Sequence, residues 1–144
     1  MSKKLFLLPA LMLVASVLFL SSCKKDCSFK QDDYSGAFSV VEDCSASTPA
    51  AYSVVIAAGT TETDLNLINV WEYFGAATKA TIDCETITIA RQEPDGDKFF
   101  VEGSGFIEKN NGVTTITLSY TVTDETDPAA IKSDNCTQTI YTKL

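Results

Sequence analysis

The sequence predicts an all-β domain: an antiparallel up-and-down meander of about eight strands, closed into a small barrel or, as the alternative, folded as a β-sandwich. Three observations support this. Apolar and hydroxylated residues alternate with period two, turn residues separate the alternating segments, and no window holds helical periodicity over three turns. The clearest alternation covers residues 114–123, where four apolar side chains share one face: Ile116, Leu118, Tyr120 and Val122.

The predicted strands follow one another with short connections. They cover residues 36–43, 50–58, 64–70, 78–82, 85–91, 98–107, 113–123 and 134–143. Asn111-Gly112 is a strong two-residue hairpin signal between the sixth and seventh strands. Gly96 suits the left-handed position of a turn. Gly103 and Gly105, inside the sixth strand, predict a bend or the close approach of another backbone.

The segment before the predicted barrel has the composition of a secretory signal. Lys3 and Lys4 form a basic start, and residues 5–20 are an almost unbroken apolar run. A bilayer needs about 18 to 20 apolar residues to be spanned, so this run is short for a membrane anchor and fits the apolar region of a signal peptide. We therefore expect residues 1–22 to be removed from the mature protein.

The run ends in Leu20-Ser21-Ser22-Cys23, which resembles the lipobox of bacterial lipoproteins: an aliphatic residue, two small residues and the cysteine that receives the lipid. The resemblance implies a lipoprotein signal peptide over 1–22, acylation of Cys23, a lipid-anchored tether over 23–35 and a barrel domain over 36–144. The acyl chains would hold the protein at about 0.8 kcal/mol per buried CH₂. The alternative is an ordinary secretory signal that leaves Cys23 free.

The residues after the lipobox bear on localisation. Lys24-Lys25-Asp26 is similar to the start of lipoproteins common in the Bacteroidetes, where a basic-then-acidic stretch is associated with export to the cell surface. The similarity implies an outer-membrane lipoprotein of the cell envelope that is either periplasmic or surface-exposed. The alternative is that these residues carry no export signal and are hydrophilic only because a tether is exposed to solvent.

The mature chain as a whole resembles the small lipocalin-like lipoproteins of the Bacteroidetes. The resemblance implies a small lipocalin-like barrel and assigns no catalytic residue. Gly36-Ala37-Phe38 stands where true lipocalins carry Gly-x-Trp. Besides the lipobox, the carrying residues are Gly36-x-Phe38-x-Val40 with Cys44, Tyr52-x-Val54-x-Ile56, Ile87-x-Ile89, Gly103-Ser104-Gly105, Tyr120-x-Val122-x-Asp124, and the last strand from Cys136 to Lys143.

Four cysteines remain once Cys23 is assigned to the lipid, and an oxidising compartment favours disulfides between them. Three pairings are possible. If the strands alternate up and down, Cys44 and Cys136 lie at one end of the barrel, and Cys27 and Cys84 lie at the other. We therefore predict Cys44–Cys136 and Cys27–Cys84, with Cys27 and Cys84 left unpaired as the alternative. Redox or metal chemistry is disfavoured because the domain holds no CxxC pair.

Composition excludes several function classes. The chain has no histidine, which removes Ser-His-Asp and Cys-His nucleophile systems, HExxH zinc sites and most metal ligation by imidazole. Its formal net charge is −8, so a nucleic-acid partner is not expected. Asp95-Gly96-Asp97 lacks the further acids of a calcium loop and is predicted to be a hairpin turn. We expect no enzyme, cofactor or metal site.

Trp71 and Tyr73 are the candidate ligand-binding residues, because on a strand they would share one face and exposed aromatic patches mark binding sites. The competing interpretation, which the usual burial of aromatic residues favours, is that they belong to the core or plug the barrel. Two functions follow: a non-enzymatic envelope lipoprotein that binds a small apolar or glycan ligand, or a structural or interaction subunit that docks to an envelope protein. A filled barrel interior would argue against a carrier.

Overall fold

The computed structural model describes residues 26–46 and 51–144 and is a closed barrel of eight antiparallel strands in sequence order. β1 pairs with both β2 and β8, so the predicted meander closes and the sandwich alternative is wrong. The strands are β1 (Gly36–Val41), β2 (Ala51–Ala58), β3 (Asp64–Ile68), β4 (Thr78–Asp83), β5 (Thr86–Gln92), β6 (Phe99–Asn110), β7 (Val113–Asp124) and β8 (Lys132–Lys143). A four-residue helix, α1 (Gln31–Tyr34), precedes β1, and a short 3₁₀ segment, Val70–Glu72, follows β3.

Period-two alternation places the core inside the barrel. The four apolar residues of the predicted seventh strand are all buried on β7, while the hydroxylated residues between them face outward or are only partly covered. The largest side chains with almost no exposed surface fill the interior. They are Tyr34, Tyr141, Phe38, Phe74, Ile56, Leu65, Leu67, Ile87, Ile89, Ile107, Ile116 and Leu118.

The two glycines of β6 lie where β6 and β7 approach closely. A Cβ atom on Gly103 would lie 2.5 Å from the Ser119 carbonyl oxygen, and one on Gly105 would lie 2.0 Å from the Thr117 carbonyl oxygen. Both distances are shorter than any van der Waals contact, so only glycine fits without moving a strand. The predicted close backbone approach at these positions is confirmed.

The tight turn between β6 and β7 also has the predicted form. Asn111 and Gly112 both have positive φ, at 52° and 85°, which is the geometry of a type I′ hairpin turn. Gly96, in the β5–β6 connection, has a φ of 71°, as expected for the left-handed position of a turn.

The strand order defines two ends of the barrel. The proximal end, where the chain enters β1, carries the β2–β3, β4–β5 and β6–β7 connections. The distal end carries the β1–β2, β3–β4, β5–β6 and β7–β8 connections. Cys27 and Cys84 are bonded at the proximal end, and Cys44 and Cys136 are bonded at the distal end. Both predicted pairings are confirmed.

The proximal end is closed by residues that the sequence analysis assigned to the tether. Tyr34 is fully buried, its hydroxyl donates a hydrogen bond of 2.7 Å to the Cys84 carbonyl, and Phe29 packs against the core. The barrel strands begin at Gly36, and the segment from Cys27 to Tyr34 packs against their proximal end. The physical reason is that the open barrel end needs an apolar plug, and Tyr34 supplies one.

Cys23 and the predicted signal peptide lie outside the described residues. Within 26–46 and 51–144, no helix has the length and hydropathy that crossing a membrane requires.

Candidate functional site

Four aromatic side chains cluster at the distal end, and we call them the aromatic rim: Trp71, Tyr73, Phe74 and Phe99. The ring centroids of Tyr73 and Phe99 are 5.2 Å apart, and those of Trp71 and Tyr73 are 5.6 Å apart in an edge-to-face arrangement. Phe74 is buried, Trp71 and Phe99 are partly buried against the core, and Tyr73 is 51% exposed. The rim is thus anchored in the core on one side and open to solvent on the other.

The segment that carries Trp71, Tyr73 and Phe74 lies beyond the predicted third strand, residues 64–70, and is not a strand in the structure. β3 ends at Ile68, and three non-glycine residues then adopt left-handed conformations: Asn69, Trp71 and Glu72, with φ of 72°, 57° and 51°. The expectation that Trp71 and Tyr73 share a strand face is therefore wrong. They meet because this turn brings their rings together. Each left-handed non-glycine residue costs of order 1–3 kcal/mol, and such residues concentrate at functional positions.

Hydrogen bonds from the β5–β6 connection hold the rim segment in place. The Asp95 carboxylate accepts the backbone N–H groups of Gly75 and Ala76 at 2.9 and 2.6 Å. The Asp97 carboxylate accepts the Tyr73 hydroxyl at 3.1 Å, and this bond raises the pKa of Tyr73. These two aspartates, which lie in the predicted turn between β5 and β6, link that turn to the β3–β4 connection by hydrogen bonds.

A buried carboxylate, which was not among the residues predicted from the sequence, lies beneath the rim. Glu42 is 6% exposed, and the hydroxyls of Tyr52 and Tyr120 both donate to its Oε1 atom. The backbone N–H of Trp71 in turn donates to the Tyr52 hydroxyl oxygen at 3.0 Å. Burial, which outweighs the two hydrogen bonds, raises the pKa of Glu42.

A signal for Glu42 was present in the sequence. Phe38 and Val40 point inward, so continued alternation places Glu42 and then Cys44 inside as well, and both are buried. Tyr141, also fully buried, completes this polar cluster, and burial raises the pKa of its hydroxyl. An acid at an inward position of a strand is the feature that sequence reasoning passed over.

Among residues 26–46 and 51–144, two groups of side chains bring possible metal-ligand atoms within 4.8 Å of one another. One combines Asp83 with the Cys27–Cys84 disulfide, and the other combines Glu42 with the Cys44–Cys136 disulfide. A thiolate is the cysteine form that binds metal, and a sulfur in a disulfide has no thiolate to offer. Each group is left with a single carboxylate.

Two grooves formed by the described residues lie on the outer wall of the barrel. One of about 540 Å³ crosses β5 to β8 and includes Ser104, Ser119 and Thr137; another of about 390 Å³ crosses β3 to β5. Neither is lined by Trp71 or Tyr73. The interior is occupied by the buried side chains given above, which argues against a lipocalin-type carrier that encloses its ligand.

The chain matches no protein-family model, and no curated protein matches it at significant similarity.

Proposed function

We propose that this protein is a non-enzymatic extracytoplasmic lipoprotein, held in the outer membrane by acylated Cys23, that binds a glycan at its aromatic rim. One observation carries the proposal. Tyr73 stays half exposed while its ring packs on Trp71 and Phe99, on a segment that holds three left-handed non-glycine residues. A surface feature maintained against backbone strain and apolar exposure supports a binding role.

The chemistry of the rim fits a sugar better than a purely apolar ligand. A pyranose ring presents C–H groups on its faces and hydroxyls at its edge, so it needs both an aromatic surface and polar acceptors. The rim offers the exposed ring of Tyr73 beside the carboxylate of Asp97. Binding sites of this kind combine apolar surface with a few placed polar groups.

The position of the rim suits an anchored protein. The tether meets the barrel at the proximal end, where Cys27 is bonded to Cys84, and the rim lies at the opposite end. β6 and β7 have 12 residues each, so at about 3.3 Å per residue they extend roughly 40 Å along the strand. With lipid on Cys23, the rim would face away from the membrane.

The test is a glycan array probed with the detergent-solubilised lipoprotein, followed by titration of any bound oligosaccharide. Trp71 is the sole tryptophan, so its fluorescence reports binding directly. Tyr73→Ala should weaken binding by at least tenfold. Phe106→Ala is the matched control, because Phe106 is also a half-exposed aromatic residue but lies on the barrel wall. Equal affinity in the Tyr73→Ala and wild-type proteins would contradict the proposal.

A second candidate is the structural subunit, in which the outer wall docks to an envelope protein. One apolar row favours it. Phe106 lies opposite Thr117, Thr117 lies opposite Ile140, and Ile140 lies opposite Val41, across four adjacent strands. Phe106, Ile140 and Val41 are all exposed. Under this alternative, Ile140→Lys would abolish co-purification of a partner after cross-linking in cells, whereas Tyr73→Ala would not.

A further inference from the structure

A hydrogen-bond chain connects the rim backbone to the interior of the barrel. The backbone N–H of Trp71 donates to the Tyr52 hydroxyl oxygen at 3.0 Å, and the Tyr52 hydroxyl donates to the Glu42 carboxylate. The chain joins the β3–β4 connection to β2 and to the end of β1, so it crosses from a loop to the barrel wall. Trp71 itself has a φ of 57°, and this is the backbone that the chain holds.

The Glu42 carboxylate determines which hydrogen bonds the Tyr52 hydroxyl forms. A phenol has one hydrogen to donate and lone pairs that accept, whereas an ionised carboxylate only accepts. Glu42 takes the single hydroxyl hydrogen of Tyr52, so the lone pairs of that oxygen are left for the Trp71 N–H. Linked hydrogen bonds of this kind polarise one another.

The surroundings of Glu42 make its burial costly. The side chains that face it are Tyr52 on β2, Tyr120 on β7, Tyr141 and Asp134 on β8, and Glu72 on the 3₁₀ segment. Asp134 and Glu72 are acids, so they repel the Glu42 carboxylate instead of neutralising it. A carboxylate buried among acids stabilises the fold less than an apolar residue of the same size would. The presence of Glu42 is therefore better explained by the groups that its hydrogen bonds position than by fold stability.

We propose that Glu42 is a positioning residue for the aromatic rim: by accepting the Tyr52 hydroxyl, it holds the Trp71 backbone and thereby the rings that pack on it. The consequence for glycan affinity rests on the proposed function, but the positioning does not. When the rim is preformed, a ligand does not have to order it on binding. Loss of the acceptor should therefore loosen Trp71 first and weaken binding second.

Trp71 fluorescence tests the positioning without any ligand, because no other tryptophan contributes. The measurements are the emission maximum and acrylamide quenching of the full lipoprotein in detergent. Glu42→Leu removes the acceptor, and Tyr52→Phe removes only the hydroxyl oxygen. Both should shift the emission to the red and raise the quenching constant at least twofold. Glu42→Gln keeps an acceptor oxygen in place and should retain wild-type emission and quenching.

Asp43→Asn is the matched control, because Asp43 is the exposed acid next in sequence to Glu42. It should leave Trp71 fluorescence unchanged. Wild-type emission and quenching in Tyr52→Phe would overturn the proposal, and this variant decides the question should Glu42→Leu fail to fold. The proposal is also overturned if the acrylamide quenching constant of Glu42→Gln is as high as that of Tyr52→Phe. Hydrogen-bond acceptance by residue 42 would then not be what holds Trp71.

The two proposals fail in different ways. If the wild-type protein binds no glycan, the proposed function is lost, while a loosened Trp71 in Tyr52→Phe still supports the positioning role. If glycan binding is found, Tyr52→Phe should lower the affinity at least threefold with all four rim rings intact. Unchanged affinity in that variant would remove the link between Glu42 and binding.

Discussion

Cys44 lies directly opposite Cys136 in an isolated β-bridge at the distal end, and the two residues form a disulfide with their Cα atoms 3.9 Å apart. This bond joins the chain just after β1 to β8, the two strands whose pairing closes the barrel. The second disulfide, Cys27–Cys84, ties the N-terminal plug to the β4–β5 turn at the opposite end. Each end of the barrel is therefore covalently closed.

Replacing Cys44 and Cys136 together by serine should destabilise the protein by about 4 kcal/mol, because the unfolded chain regains the freedom of a long loop. The bridged residues are 92 positions apart. Guanidinium unfolding of the oxidised proteins measures the difference. The matching double variant at Cys27 and Cys84, 57 positions apart, should lose a similar amount. Non-reducing peptide mapping that found Cys44 bonded to Cys84 would contradict the structure.

Gly105→Ala should destabilise the barrel by about 1–3 kcal/mol, the usual cost of overpacking. The added Cβ would lie 2.0 Å from the Thr117 carbonyl oxygen, so β6 and β7 would have to separate. Ser104→Ala is the control, because Ser104 is the exposed neighbour on β6 and its change should stay within about 0.5 kcal/mol. Thermal unfolding curves of equal midpoint for the two variants would show that the close approach is not required.

The barrel itself could be predicted because alternation and turn residues are local signals. The seventh strand, for example, was expected at 113–123 and is observed as Val113–Asp124. The cysteine pairing followed from strand parity alone, since an up-and-down meander fixes the end at which each cysteine lies. Neither inference needed a long-range contact to be known in advance.

The rim and the plug could not be predicted in the same way. Trp71 has a left-handed conformation, and its backbone N–H donates to the Tyr52 hydroxyl oxygen, 19 residues away in sequence; no local sequence pattern indicates that bond. Tyr34 lies in a polar segment, which by itself predicts a tether. Its burial becomes evident only when the open end of the barrel is known. The burial of Glu42, in contrast, could have been predicted, because Glu42 continues the alternation of inward-facing residues in β1.

Replacing Cys23 by serine should move the protein out of the membrane fraction, because the variant cannot take up the acyl chains that we propose as its anchor. Fractionation of cells that express the wild type and the variant measures this. A serine substitution at Cys27 is the control, since Cys27 is bonded to Cys84 inside the protein and should not affect membrane retention. Equal membrane retention of the Cys23→Ser variant would mean that the apolar run at 5–20 is the anchor.

Glu42→Gln should stabilise the protein relative to the wild type, and the difference should grow as pH rises. The pKa of Glu42 is raised in the folded state from its ordinary value of 4.5, chiefly by burial. Below that ordinary value the carboxyl is protonated in both the folded and unfolded states, and it costs nothing extra. As pH rises, the unfolded state ionises first, and the wild type loses stability until pH exceeds the folded-state pKa.

Glutamine has no proton to lose, so the unfolding free energy of the variant should lack this pH-dependent loss. Urea unfolding of both proteins at pH 4 and at pH 8 measures the two differences. Asp43→Asn, which removes an exposed acid next to Glu42, should change little between the two pH values. A stability difference between Glu42→Gln and wild type that shrinks as pH rises would mean that the hydrogen bonds from Tyr52 and Tyr120 outweigh burial, and that the pKa of Glu42 is lowered.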